Sequence, residues 1–312
     1  MSTRHIQAHR VLTSLAIALL AVATFASPVA AGKGGVPGGP GGGGGGGGGD
    51  DTTAEPVPAS MASLGDSITR AFNACGWYVD CTSRSWSTGG GNDAVDSHFE
   101  RLRALDATMS TSYNDARTGA VVADLPGQAQ SARNQGAGYV TVLIGANDAC
   151  TSSESTMTSV ATFRSHVSSA LSTLDPDGRD VNVYVSSIPD IHRLWEIGKD
   201  SGSARSAWSA FDICQSMLAN PQSTAQADVD RRQRVRQRVI DFNAVLESEC
   251  AAYTNCRYDG GAVFGYQFQF SQMSGWDYFH PNESGQAVLA EVSWSAGFDW
   301  AAAKKGGGKG RK

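Results

Sequence analysis

At 312 residues, 41% of them hydrophobic and 18% charged, the chain is long enough for one well-buried domain. Its 25 basic residues against 30 acidic ones give a net charge of −5, which argues against a nucleic-acid binder. The one long apolar run falls short of the roughly 20 residues that span a bilayer, so no stable membrane span is expected.

In chain order, Arg4 and Arg10 precede that run, Val11 to Phe25, and the small residues Val29-Ala30-Ala31 follow it. Residues 1–31 therefore read as a secretory signal, and the protein is expected to be exported. Without Arg4 and Arg10 the chain keeps 23 basic residues against 30 acidic ones, a net −7. Residues 32–58 include unbroken glycine from Gly41 to Gly49. Such a stretch cannot offset its chain entropy by burial and reads as a disordered leader. It is no phosphate loop, since no strand precedes it and no Lys-Ser/Thr closes it. Residues 304–312 read as a disordered basic tail, which leaves residues 59–303 as the folded domain.

Within that domain Ser60–Gly65, Ala107–Tyr113, Tyr139–Gly145, Val181–Ser187 and Ala262–Phe264 have the pattern of strands. Asp93–Leu105, Asp124–Gln135, Thr158–Leu174, Asp228–Tyr253 and Glu283–Phe298 have helical spacing. This alternation is that of an α/β protein with a central parallel sheet covered on both faces. Ligands in such folds sit at the carboxyl ends of the strands, where Ser67, Gly119 and Asn147 would fall. The interval from Asp190 to Pro221 reads as an insertion over those ends. The basic run from Arg231 to Arg238 shares a helix with Val235, Val239, Phe242 and Leu246, and is expected to be a solvated helix face.

Six cysteines in an exported chain point to disulfides, with 15 possible connectivities. Local pairing would join Cys75 to Cys81 and Cys250 to Cys256, leaving Cys150 for Cys214. No Cys-x-x-Cys or His-x-His is present to favour zinc.

The chemistry-bearing residues are few. Gly65-Asp66-Ser67 comes directly off an apolar strand, where a tight turn would expose the hydroxyl and leave backbone N–H groups free. A serine needs an imidazole to take its proton, and four histidines remain after the signal: His98, His166, His192 and His280. His98 and His166 sit in helical patterns and read as surface or satisfied residues. His192 follows a strand and is placed to line a pocket. His280 is the strongest base, because Asp277 lies three residues before it and Pro281 ends any helix there. Donors for a developing oxyanion are the Asn147 amide and the Gly119 backbone, with Gly89, Gly90 and Gly91 as rivals to Gly119. Each motif alone has an ordinary explanation, as an N-cap serine, a loop ion pair or turn glycines.

In order, Gly-Asp-Ser, a glycine in Asn114–Ala120, Gly-x-Asn-Asp and Asp-x-x-His-Pro together resemble the four blocks of the SGNH hydrolases, also called GDSL esterases and lipases. The resemblance implies a flavodoxin-like three-layer α/β/α sandwich and no metal or cofactor. It implies Ser67 as nucleophile, His280 as general base and acid, and Asp277 as the orienting carboxylate, although some secreted members use a backbone carbonyl instead. It also implies an oxyanion hole from the N–H groups of Ser67 and Gly119 with the Asn147 side chain. The cysteine count resembles the secreted bacterial branch.

The expected protein is thus a secreted, monomeric serine esterase or lipase whose partner is a small-molecule or lipid ester. A deacetylase of acetylated polysaccharide or cell-wall glycan, or a non-catalytic surface binding module, are the alternatives. Trp77, Tyr78, Trp86, Trp195, Trp208, Phe211, Tyr278 and Phe279 lie near the candidate pocket loops, and core packing is the commoner use of each.

Overall fold

A computed structural model describes residues 54–91 and 94–302. The signal, the glycine leader up to residue 53 and the basic tail lie outside the described residues. The strands are β1 (Glu55–Pro56), β2 (Ser60–Gly65), β3 (Thr111–Asn114), β4 (Tyr139–Leu143), β5 (Asn182–Val185), β6 (Cys256–Tyr258) and β7 (Trp300–Ala301). Strands β2 to β6 form one parallel sheet in the order β3-β2-β4-β5-β6. Counted within that sheet, the order is that of the flavodoxin-like folds, whose ligand crevice opens between the first and third strands. Here those are β2 and β4, paired from Met61↔Tyr139 to Gly65↔Leu143.

The helices are α1 (His98–Leu105), α2 (Leu125–Gln135), α3 (Ala146–Ala149), α4 (Val160–Leu174), α5 (Pro176–Arg179), α6 (Ile191–Gly198), α7 (Gly202–Ala210), α8 (Gln215–Leu218), α9 (Gln226–Cys250), α10 (Ala262–Gly265) and α11 (Glu283–Ser295). Strand alternation divides the core in two. Ala62, Val140, Val142, Val183 and Val185 pack with α2, α4 and α9, where Phe163 and Phe242 stack with ring centroids 4.0 Å apart. Met61, Tyr139, Leu143 and Tyr184 pack on the other face with Trp86, Leu102 and Leu289. The result is a three-layer α/β/α sandwich. On the second face His98 is fully buried, with Nδ1 and Nε2 each 2.8 Å from a hydroxyl, Tyr139 and Ser293 respectively. Burial, with Arg101 adding to it, pushes its pKa down to about 3.

Several elements differ from the sequence reading. Backbone pairing extends to residues before Ala59, because Glu55–Pro56 pairs in parallel with Trp300–Ala301. Strand β3 starts at Thr111, since Asp106 accepts the Thr108 N–H and turns the chain first. Ala262–Phe264 is helical: Asp259 accepts the N–H groups of Gly261 and Val263 after a Gly260-Gly261 turn. The fifth central strand is the three residues Cys256–Tyr258 instead.

The arginine run of α9 is not a solvated face. Arg231 donates to the carbonyls of Gln215, Ser216 and Ala219, Arg232 is buried over the Trp195 ring, and Arg236 pairs with Asp190. Only Arg234 among the arginines from 231 to 238 is exposed, and it is paired with Glu154. Arg231, Arg232 and Arg236 fasten the α6–α8 insertion to the core. Disulfides join Cys75 to Cys81, Cys150 to Cys214 and Cys250 to Cys256. No described helix is long and apolar enough to cross a membrane.

Candidate active site

Strand β2 delivers the candidate nucleophile. Gly65 has φ +143°, and a Cβ there would lie 2.1 Å from the Leu143 carbonyl oxygen, so only glycine lets β2 and β4 close at this point. The carboxamide of Gln128, on α2, accepts the Gly65 N–H at 2.7 Å and donates to the Gly65 carbonyl at 2.9 Å, substituting for a neighbouring strand. The chain then makes a run of turns, with Arg70 N–H bonded to Asp66 O and Phe72 N–H to Ser67 O. Asp66 is wholly buried, and one of its oxygens has no partner among the described residues. Burial pushes its carboxyl up to about 7 against the pull of the Ile68 N–H.

His280 and Asp277 come from one braced loop, in which Met273 bridges to Pro281 and Ser274 N–H bonds the His280 carbonyl. Asp277 Oδ1 accepts the N–H groups of Phe279 at 2.9 Å and His280 at 3.1 Å. Its Oδ2 lies 2.6 Å from His280 Nδ1, so the carboxylate, not a backbone carbonyl, partners the ring. Burial alone would raise the Asp277 carboxyl, but the His280 imidazole and these two N–H groups outweigh it and hold the pKa below the usual value. The carboxylate is therefore ionised and accepts from Nδ1–H, which leaves Nε2 as the acceptor. His280 Nε2 lies 2.8 Å from Ser67 Oγ.

The other two candidates line the same cleft. Asn147 opens α3 after Gly145, whose φ is +116° and where a Cβ would come 2.6 Å from Ile188 Cδ1. Its Nδ2 donates one hydrogen to the Ala120 carbonyl at 2.8 Å and retains a second. Asp148 accepts from Val122 N–H at 2.8 Å and from the Thr158 hydroxyl at 2.7 Å, tying α3 to the segment that carries Gly119. The backbone N–H groups of Ser67 and Gly119 have no acceptor among the described residues.

Two cavities meet at Ser67, Asn147, Phe279 and His280. One, about 620 Å³ including its mouth, is walled by Ile68, Ile191, Leu194, Ile197 and Phe268. The other, about 660 Å³, is bounded by Phe72, Trp77, Tyr78, Thr118, Gly119 and Phe211. His192 lies outside both and packs on Trp195, although its neighbours Asp190 and Ile191 line the first. Gly89, Gly90 and Gly91 line neither; Gly89 N–H bonds the Ser85 carbonyl. Trp86 and Trp208 are core residues.

One residue escaped the sequence reading. The buried Asn73 donates Nδ2–H to Asp277 Oδ2 at 2.6 Å and accepts the Tyr78 N–H at 2.6 Å. Its separation of 204 residues from Asp277 leaves no local signal.

A family model for GDSL-like lipases and acylhydrolases matches residues 61–292. Among solved structures, an acetylxylan esterase from Geobacillus stearothermophilus is 15% identical, with 81% of this chain and 100% of that one covered and a TM-score of 0.49. An α/β hydrolase from the metagenome of Lake Arreo is 16% identical, with 78% and 96% covered and a TM-score of 0.48. An extracellular lipase from Streptomyces rimosus is 18% identical, with 76% and 99% covered and a TM-score of 0.44. No curated protein sequence matches the chain.

Proposed function

We propose that this chain, which belongs to the GDSL-like lipase/acylhydrolase family and is a carboxylic ester hydrolase, cleaves acyl esters through Ser67, His280 and Asp277 after export. The observation that carries this reading is the unbroken relay from Asp277 Oδ2 to His280 Nδ1 at 2.6 Å and from His280 Nε2 to Ser67 Oγ at 2.8 Å. Ser67 Oγ attacks the ester carbonyl carbon while Nε2 takes its proton, and Asp277 stabilises the imidazolium that forms. The carbonyl oxygen, now an oxyanion, is received by the N–H groups of Ser67 and Gly119 and by the second Nδ2–H of Asn147. Loss of one such donor typically costs about 10² to 10³ in rate. His280 then passes its proton to the leaving alkoxide, and the acyl-Ser67 ester is hydrolysed by a water that the same imidazole deprotonates.

In this reading the cavity lined by Ile191, Leu194 and Ile197 takes the acyl chain, since its side chains offer apolar contact and almost nothing else. The alcohol lies toward Thr118 and Trp77. Three disulfides support an extracellular location.

The test is hydrolysis of a nitrophenyl ester series from acetyl to palmitoyl, with Ser67→Ala alongside. An optimum beyond acetyl that vanishes in Ser67→Ala is expected. A sharp optimum at acetyl would turn the reading to a deacetylase of acetylated glycans, and turnover that survives Ser67→Ala would end the serine mechanism.

A further inference from the structure

The exposed large apolar side chains among the described residues are Trp77, Tyr78, Val79, Phe211, Phe270 and Trp276. Four of them form one cluster with Trp77 at its hub, its ring 5.5 Å from Tyr78, 5.6 Å from Phe211 and 5.8 Å from Trp276. They come from three segments: the loop closed by the Cys75–Cys81 disulfide, the end of α7, and the loop that carries Asp277. Exposures of 45% for Trp77, 71% for Tyr78 and 52% each for Phe211 and Trp276 make this a contiguous apolar patch, unlike scattered surface residues. Trp77, Tyr78 and Phe211 also wall the cavity that reaches Ser67, so the patch is the outer rim of the site.

We propose that this aromatic rim docks on a neutral or zwitterionic lipid–water interface and admits an ester from it to Ser67; the second step rests on the esterase reading above. The ring geometry favours lipid over sugar. Trp77 is tilted by 56°, 50° and 47° against its three neighbours, so the rings do not share a plane and form an uneven apolar surface, which acyl chains can pack around. A pyranose chain needs faces laid flat in a row. Tryptophan and tyrosine suit the depth of lipid headgroups, where an apolar ring body and a polar edge are both satisfied. Charge selects the kind of lipid. The nearby Arg70 and Asp80 neutralise each other at 2.9 Å, Thr118 also donates to Asp80, and the exposed Asp212 follows Phe211, so the described residues beside the rim offer no cationic patch to draw an anionic surface. Apolar insertion, and not electrostatics, supplies the attraction.

The experiment uses the full chain carrying Ser67→Ala, so that bound lipid is not consumed, with phosphatidylcholine vesicles at low and high salt. The protein is expected to sediment with the vesicles, with blue-shifted tryptophan emission and no weakening by salt. Val79→Ser with Trp276→Ser, two residues outside both cavities, should lower the partition coefficient by about tenfold or more. With Ser67 restored, the same pair should leave hydrolysis of a soluble nitrophenyl butyrate unchanged and slow hydrolysis of an ester held in vesicles.

Equal vesicle binding with and without the two substitutions would overturn the proposal. So would binding to soluble xylan in place of vesicles, or a dimer abolished by the two substitutions in the absence of lipid. Turnover of the soluble ester by the unmutated chain without vesicle binding defeats the docking surface alone. Vesicle binding without turnover defeats the esterase reading and supports the docking surface.

Discussion

Asn73 provides the sharpest test of how the site is held. Its Nδ2–H is a second donor to the same Asp277 oxygen that partners His280, at 2.6 Å in a buried position. Asn73 has φ +60°, so Asn73→Gly removes the carboxamide without straining the backbone. A hydrogen bond to a buried carboxylate is worth about 1.5 to 3 kcal/mol. If that energy serves to hold the imidazole toward Ser67, kcat/KM on a soluble ester should fall by about 10- to 150-fold. The pH profile adds a readout that a merely structural role would not move. Asp277 has a depressed pKa in the folded state, so its contribution is present above its unfolded pKa and is lost as pH falls through the folded one. Removal of a donor raises the folded pKa, and the deficit should therefore be greater near about pH 5 than near about pH 8. Asn73→Asp keeps an acceptor for the Tyr78 N–H but sets oxygen against oxygen at Asp277, and should be worse than Asn73→Gly. The assay is nitrophenyl butyrate hydrolysis across pH, normalised to sites labelled by a fluorophosphonate. A loss smaller than twofold in both variants, or one uniform in pH, would refute the argument.

Two further outcomes follow from burial and chain topology. The folded pKa of Asp66 is raised from 3.8 to about 7, so its contribution to stability is full below the unfolded value and is lost as pH rises through about 7. That loss amounts to roughly 4 kcal/mol. Asp66→Asn should flatten urea-unfolding stability between about pH 4 and pH 8 by that amount; an unchanged slope would count against it. The Cys150–Cys214 bridge spans 64 residues and the Cys75–Cys81 bridge 6. Chain-entropy reasoning then gives about 4 kcal/mol for removal of the first and about 2 for the second. Activity should rank the other way, because the short loop carries Trp77 and Tyr78 and accepts the Asn73 N–H at the Val79 carbonyl. Paired serine substitutions, measured by unfolding and by kcat/KM, separate the two; equal rankings would contradict the link from that loop to Asp277.

The fold was legible where burial is continuous and was lost where tertiary contacts decide. Strands β2 and β4 are mostly apolar and almost wholly buried on both faces, as a central parallel strand requires; β2 ends on Gly65, and Gly145 lies two residues past the end of β4. Strand β6 is Cys-Arg-Tyr at the edge of the sheet, none of it fully buried, and it exists because Val183 and Val185 offer partners. Nothing in those three residues announces a strand. Ala262–Phe264 has the composition of one, yet the Asp259 carboxylate captures the N–H groups that begin a helix. The arginines of α9 differ from the periodicity for a related reason: their partners, the backbone carbonyls around Arg231, the Trp195 ring under Arg232 and the Asp190 carboxylate at Arg236, lie on a different part of the chain.

The same division runs through the site. Ser67, Asn147 and His280 lie in short motifs at strand ends or before a proline, and their order along the chain, which resembles the SGNH blocks, is what nominates them, whereas Asn73 is one asparagine among several until the chain closes. The tryptophans make the point physically. Trp86 donates its indole N–H to the Thr69 hydroxyl, Trp195 to the Pro221 carbonyl and Trp208 to the Tyr278 carbonyl, and with that polar edge satisfied these rings can leave water. Trp77 and Trp276 have no acceptor for theirs among the described residues, and full burial would strand an N–H at a cost of about 1 to 3 kcal/mol. At the rim, where both sit, a ring body can enter an apolar phase while its N–H still meets water or a headgroup oxygen. Composition cannot separate the two sets, because the distinction lies in which acceptors the finished fold brings within reach.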